Sequence, residues 1–165
     1  MSDIVNIAQS CYDRFASAMA HLRSPLLLAI RLYWGLQLSI DGWNKLHNLN
    51  RVGEYFSTLN LPMPAQTAIF VSLVELIGGF TLAIGLFTRI TALVLFINMT
   101  VAFLAAEKGA FFAVITDPDK FQGASAYNDW FAALLILILG PGLFAIDTLL
   151  RRRFLPDRER AHSPA

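Results

Sequence analysis

The stretch from Pro25 to Lys45, PLLLAIRLYWGLQLSIDGWNK, constrains the chain more than any other. It is long and apolar enough to cross a bilayer, yet it holds Arg31 deep inside and Asp41 and Lys45 at its far end. A cation placed in hydrocarbon costs at least ~2.5–3.5 kcal/mol on insertion scales unless it meets a partner or a wet cavity. The rest of the chain must therefore supply that partner and the walls around it.

Composition supports a membrane setting. Of 165 residues, 56% are hydrophobic and 15% are charged, and the mean hydropathy is +0.54. A soluble domain carries roughly 25% charged residues. The length suits one small bundle; a net charge of +1 says nothing about nucleic acid, and no nucleic-acid partner is expected. Cys11 is the single cysteine, which excludes an internal disulfide and a CxxC redox pair, and it reads as a small apolar residue on a helix face. No cleavable signal pattern precedes residue 25, so the first span is expected to act as an uncleaved insertion signal.

Residues 1–23 place Ile4, Ala8, Cys11, Phe15 and Leu22 at helical spacing among Asp13, Arg14 and Arg23, the pattern of an amphipathic interfacial helix. A first span is expected over 24–43, started by Ser24 as N-cap and Pro25 in the first turn. Arg31, Gly35, Gly42 and Lys45 share one of its faces. The polar piece 44–66 holds a short half-buried helix around Val52, Tyr55, Phe56 and Leu59, which Pro62 and Pro64 end. A second span over 65–87 has Glu75 as its only charge, followed by Gly78, Gly79 and Gly85. The very short turn at Thr88-Arg89 makes the third span, 89–106, its antiparallel neighbour. Thr91 and Asn98 stand seven apart on the third span, and Ala102, Ala105 and Ala106 extend that stripe. A second long loop, 109–128, precedes a fourth span over 129–150, which Gly140-Pro141-Gly142 is expected to kink.

The predicted fold is an all-α membrane protein: a four-transmembrane-helix bundle over 24–150, an N-terminal amphipathic helix over 1–23 and a basic tail over 151–165. Spans of roughly 18–22 residues suit a ~30 Å hydrocarbon layer. Four spans put Arg14, Arg23, Arg89, Arg151, Arg152, Arg153, Arg158 and Arg160 on one side and Lys45, Arg51, Lys108 and Lys120 on the other. The positive-inside bias then places both termini in the cytoplasm and both long loops outside.

The intramembrane charges suggest an Arg31–Glu75 ion pair between the first two spans, with Asn98 as a third contact. Such a pair either locks two helices together or lines a pocket that binds a polar head group or relays a proton. Asp41, Lys45, Glu107 and Asp129, with Tyr127, gather at the outer ends, either as ordinary interfacial charge or as the mouth of a cavity floored by Arg31 and Glu75. Gly35, Gly42, Gly78, Gly79 and Gly85 are expected to pack helices closely. His21, His47 and His162 fall outside the spans, so no His pair is placed to ligate a transmembrane haem. There is no GxGxxG, P-loop, HExxH or His/Cys metal cluster, and a Ser-His hydrolase lacks its histidine. No catalytic residue emerges, and no metal site is expected. Any redox chemistry must be carried by a bound small molecule or a partner.

Three pieces of the chain, taken in order, resemble the DoxX family of small four-helix membrane proteins. They are R-x3-G-x6-G-x2-K at Arg31, Gly35, Gly42 and Lys45; E-x2-GG-x5-G-x2-TR at Glu75, Gly78, Gly79, Gly85, Thr88 and Arg89; and GPG-x4-D at Gly140, Pro141, Gly142 and Asp147. The resemblance spans about residues 26–150. Members commonly open the last helix with Glu, where this chain has Asp129, and often have Ser where it has Ala145. No His ends the third span, where related proteins have one. The resemblance implies a bacterial inner-membrane protein associated with membrane redox systems. The related DoxD proteins resemble the membrane subunit of a thiosulfate:quinone oxidoreductase, which implies a bound quinone with Arg31 or Lys45 at a carbonyl and Tyr33, Trp34 and Phe70 as walls. Fold alone does not fix function. Two functions therefore stay open: a subunit supporting a quinone-linked redox complex, and a non-enzymatic protein or scaffold that binds or moves a small lipid or solute. The implied partners are the lipid bilayer, a redox protein and a second copy of the chain.

Overall fold

The computed structural model describes residues 2–154, and every regular element among them is a helix. In chain order these are α1 (Ser2–His47), α2 (Leu49–Thr58), α3 (Pro64–Ile84), α4 (Thr88–Ala106), α5 (Lys108–Phe111), α6 (Pro118–Gln122), α7 (Tyr127–Leu139) and α8 (Ile146–Phe154). α3 and α4 are the two long enough and apolar enough to cross a membrane. At 21 and 19 residues they measure ~31 and ~28 Å. α1 packs on α3, α3 on α4, α4 on α7, and α7 returns to α1.

The expected boundary at Ser24 is absent. α1 runs through Pro25 without a break, although proline leaves the His21 carbonyl without its helical donor. The Ser24 hydroxyl, expected to cap a new helix, instead accepts the Leu143 N–H at 3.4 Å. Tyr12, Phe15, Met19 and Leu22 on this forward half are exposed. The side chains of Ile4, Ala8 and Cys11, and the tail from residue 155, lie outside the described residues.

α1 and α3 touch backbone to backbone. A Cβ on Gly35 would meet the Gly79 carbonyl at 2.7 Å and the Ala83 nitrogen at 2.8 Å, and one on Gly42 would meet the Ser72 carbonyl at 2.6 Å and the Leu76 nitrogen. A Cβ on Gly79 would meet the Gly35 carbonyl at 2.5 Å in return. Apolar helices in lipid associate through such close packing, because lipid tails are as apolar as leucine. Gly78 faces the Leu95 side chain of α4.

Gly85 ends α3 in the left-handed region, at φ 75°, and its N–H and that of Leu86 cap the last carbonyls. Three residues, Gly85 to Phe87, then turn the chain into α4. Leu38, Leu82, Leu95, Met99, Ala133 and Ile136 form the core between α1, α3, α4 and α7. A second cluster, Phe103 with Phe111, Phe121 and Trp130, fills the space under the second long loop.

The expected kink of the last span is a complete interruption. α7 stops at Leu139 and α8 starts at Ile146, with Gly140 and Gly142 both at positive φ between them. Backbone groups freed there are taken up by side chains: Arg23 donates to the Leu139 carbonyl at 2.8 Å, and the Thr148 hydroxyl donates to the Gly142 carbonyl at 2.7 Å. Such non-helical backbone is tolerated at membrane depth only when its polar groups are satisfied within the protein.

Candidate functional site

Lys45 and Glu75 face one another inside the molecule. The Lys45 ammonium donates to both Glu75 carboxylate oxygens, at 2.6 and 2.5 Å. The Glu75 side chain is 2% exposed and that of Lys45 35%, so the carboxylate is the desolvated member and the cation reaches it from a wetter place. A buried carboxylate stays charged only against a partner of this kind. Asn98 of α4 lies beside Glu75, but its Nδ2 falls short of hydrogen-bond geometry and meets no acceptor among the described residues.

The pair forms the floor of a chamber of about 660 Å³. Small-molecule sites span roughly 300–1,000 Å³. α1 contributes Leu38, Asp41 and Lys45, α3 contributes Thr67, Val71 and Glu75, and α4 contributes Asn98, Ala102 and Ala105. Each set recurs at steps of three or four residues, so each is one helix face. α2 and its C-cap Leu59 cover the chamber; of the stripe expected from the sequence, Val52, Phe56 and Leu59 are half-buried while Tyr55, 52% exposed, is not. Asp129 of α7 and Arg51 of α2 add charge to the lining. The chamber thus has apolar walls, a neutral ion pair below and charges of both signs around it.

Arg31 is not part of this site, and the expected Arg31–Glu75 pair does not form. The register that sets Gly35 against Gly79 and Gly42 against Ser72 and Leu76 carries Arg31 to Gly85 and brings Glu75 to Lys45. Fourteen residues separate Arg31 from Lys45, about 21 Å along a helix. Arg31 is fully buried and donates to the Phe144 carbonyl at 3.2 Å. A Cβ at Gly85 would collide with its guanidinium. Asp147 supplies the nearby opposite charge, while its carboxylate accepts the backbone N–H groups of Phe87 and Thr88. Arg31 therefore ties α1 to the break between α7 and α8 and does not floor a cavity.

The outer cluster divides. Asp41, Lys45 and Asp129 line the chamber, whereas Glu107 accepts the Ser125 N–H at 2.9 Å and belongs to a separate shallow depression with Lys108 and Lys120. Tyr127 stacks on Phe131 and packs edge-on against Phe121, and it does not line the chamber. Tyr33 and Phe70 are exposed and Trp34 is half-buried, and none of the three lines the chamber. The aromatic wall comes instead from Tyr55 and Phe56. No group of three or more His, Cys, Asp or Glu side chains suited to a metal ion occurs among the described residues.

These features define a helical membrane protein with a charged chamber at one end of its apolar helices. The chain belongs to the DoxX family, whose model matches residues 26–108, a stretch holding Lys45, Glu75 and Asn98 but ending before Asp129. It is similar to the inner membrane protein YphA of Escherichia coli K12, at 31% identity over 131 residues, covering 76% of this chain and 90% of that one. It is also similar to the uncharacterized membrane protein Rv3486 of Mycobacterium tuberculosis, at 30% identity over 140 residues, covering 78% of this chain and 83% of the relative. No solved structure matches the chain.

Proposed function

We propose that this protein is a four-span bacterial inner-membrane subunit, with both termini cytoplasmic, that supports a membrane redox complex by holding a quinone head group in the chamber. One observation carries this reading: a buried Glu75 carboxylate held by Lys45, with an Asn98 Nδ2 that meets no acceptor among the described residues, lies at the floor of a ligand-sized space with apolar and aromatic walls. A quinone is flat, apolar and accepts hydrogen bonds at its carbonyls. The Asn98 amide and the third N–H of Lys45 are donors of the kind it needs, and Tyr55 and Phe56 suit its ring faces. When bound, the quinone would supply the electron-carrying chemistry. The chain's own residues bind, orient and exclude water, and a partner protein completes the electron path. The four-span topology draws support from α1, α3, α4 and α7 packing against one another and from the basic residues Arg151 and Arg153 that follow the last apolar stretch.

A second reading is favoured by the way Glu75 engages Lys45 through both oxygens. A floor so neutralised also suits the head group of a small lipid or solute that the protein binds or moves without redox chemistry. Solvent extraction of the detergent-purified protein separates the two. Quinone recovered near one per chain, and lost in Lys45→Ala and Glu75→Gln variants that still elute as folded protein, supports the redox reading. A preparation that carries lipid and no quinone overturns it in favour of the second.

A further inference from the structure

α3 and α4 leave their three-residue turn in contact. There Gly78 lies against Leu95, and the hydroxyls of Thr81 and Thr91 are 3.4 Å apart. Farther along, the continuation of the same two faces lines the chamber. Beyond the Glu75–Asn98 floor, α3 presents Thr67 and Val71 and α4 presents Val101, Ala102 and Ala105. None of these five is buried, and Val101, 53% exposed, belongs both to the chamber wall and to the outer surface. The seam is therefore closed at the turn and open at the chamber, and its sides are apolar apart from one threonine hydroxyl. That hydroxyl donates to the Pro62 carbonyl, which removes it from the seam's polar account. The two helices that bound the opening are the two of membrane length and apolarity. A gap between two such helices would open onto acyl chains, and Ala102 and Ala105 carry little side-chain bulk into it.

We infer that the chamber takes its ligand sideways from the bilayer. The ligand is a single-headed amphiphile with a long alkyl or isoprenoid chain, its head at the Lys45–Glu75–Asn98 floor and its chain in the α3–α4 seam against Val71, Ala102 and Ala105. The inference rests on the chamber being a binding site, as proposed above, but not on the head group being a quinone. It assigns the chain of the ligand as the selected feature. A buried, neutralised floor discriminates weakly among small polar heads, whereas a slot of fixed shape selects among chains by close packing, since lipid tails outside it are equally apolar.

The test is photolabelling of the full chain in lipid nanodiscs. Two probes carry the same mid-chain diazirine on a ten-carbon chain, one headed by a benzoquinone and one by phosphocholine, and labelled residues are mapped by peptide mass spectrometry. The expected result is label on Val71, Val101, Ala102 or Ala105 at least tenfold above that on the outer faces of α1 and α3. A Val71→Trp or Ala102→Phe plug should reduce that label tenfold. The map on the unaltered protein carries the test if a plugged variant does not fold. Seam label from the phosphocholine probe alone supports lateral chain binding while removing the quinone. A benzoquinone with no chain that binds as tightly as the ten-carbon one, with no seam label, overturns the inference and leaves the quinone reading standing. Label spread evenly over the lipid-facing surface overturns it for both probes.

Discussion

Asp147 holds Thr88: its carboxylate accepts the Thr88 N–H at 2.7 Å and that of neighbouring Phe87 at 2.8 Å. The start of α8 thereby caps the start of α4 across 59 residues of sequence. The two donors are orphans that every helix leaves at its N-terminus, and an anion there also meets the positive end of the helix dipole. Asp147→Ala should cost ~2 kcal/mol or more, with Asp147→Asn intermediate. Denaturation in mixed micelles reads the difference, and equal stability of all three proteins would remove Asp147 from the account of the fold.

The Lys45–Glu75 pair predicts an asymmetric mutant series. Lys45→Met alone strands a buried carboxylate and should cost ~3–5 kcal/mol, while the double change Lys45→Met with Glu75→Gln should recover most of that loss. A double-mutant cycle on unfolding free energy measures the coupling. Additive single effects would mean that the two side chains do not meet in the folded protein.

Arg31 is expected to matter for stability and not for ligand. Arg31→Ala opens a cavity and removes the donor to the Phe144 carbonyl, a loss of ~2–4 kcal/mol. Because the chamber floor lies about 21 Å away along α1, the amount of extractable ligand per folded chain should not change. Ligand loss at unchanged stability would return Arg31 to the binding site.

The glycines of α3 and α1 should separate by what their Cβ would strike. Gly42→Ala drives a methyl into the backbone of Ser72 and Leu76, which cannot move without displacing α3, and should destabilise by ~1–3 kcal/mol. Gly78→Ala meets only the Leu95 side chain, at 3.0 Å, and gains ~0.5–1 kcal/mol of helix propensity, so its net effect should be near zero. Thermal melts of the two variants side by side test this, and an equal loss in both refutes the backbone-contact argument.

Much of this was legible before any coordinates. The positions of α3 and α4 follow from apolar length and from Pro64, Gly85 and Thr88, which act locally. The short helix over the chamber followed from Val52, Tyr55, Phe56 and Leu59 at helical spacing, again a local signal, although Tyr55 is exposed. The partner of Glu75 did not, because choosing between Arg31 and Lys45 requires the sliding register of two antiparallel helices. A signal for it was present. Gly35 and Gly42 on one helix and Ser72 and Gly79 on the other are the small residues where backbones can meet; matching them in antiparallel order sets Glu75 level with Ser39, and side chains that lean toward their own helix N-termini then bring Lys45 toward Glu75 and carry Arg31 away. The unbroken run through Pro25 was hidden for a different reason. Ser24-Pro25 is a good local start, and only the distant Leu143 N–H draws the serine hydroxyl away from capping. The full interruption after Leu139 likewise depends on Arg23 and Arg31, which lie more than a hundred residues earlier.

Those two arginines also set an order of events during synthesis. Arg23 and Arg31 find their carbonyl acceptors 116 and 113 residues downstream, so neither acceptor exists when the first helix leaves the ribosome. At ~5–20 residues per second, a nascent α1 waits on the order of 6–20 s with an unmatched guanidinium. Closure of the structure is thus withheld until translation is nearly over, and truncation ahead of residue 139 would deprive the first-made helix of contacts made only by the last.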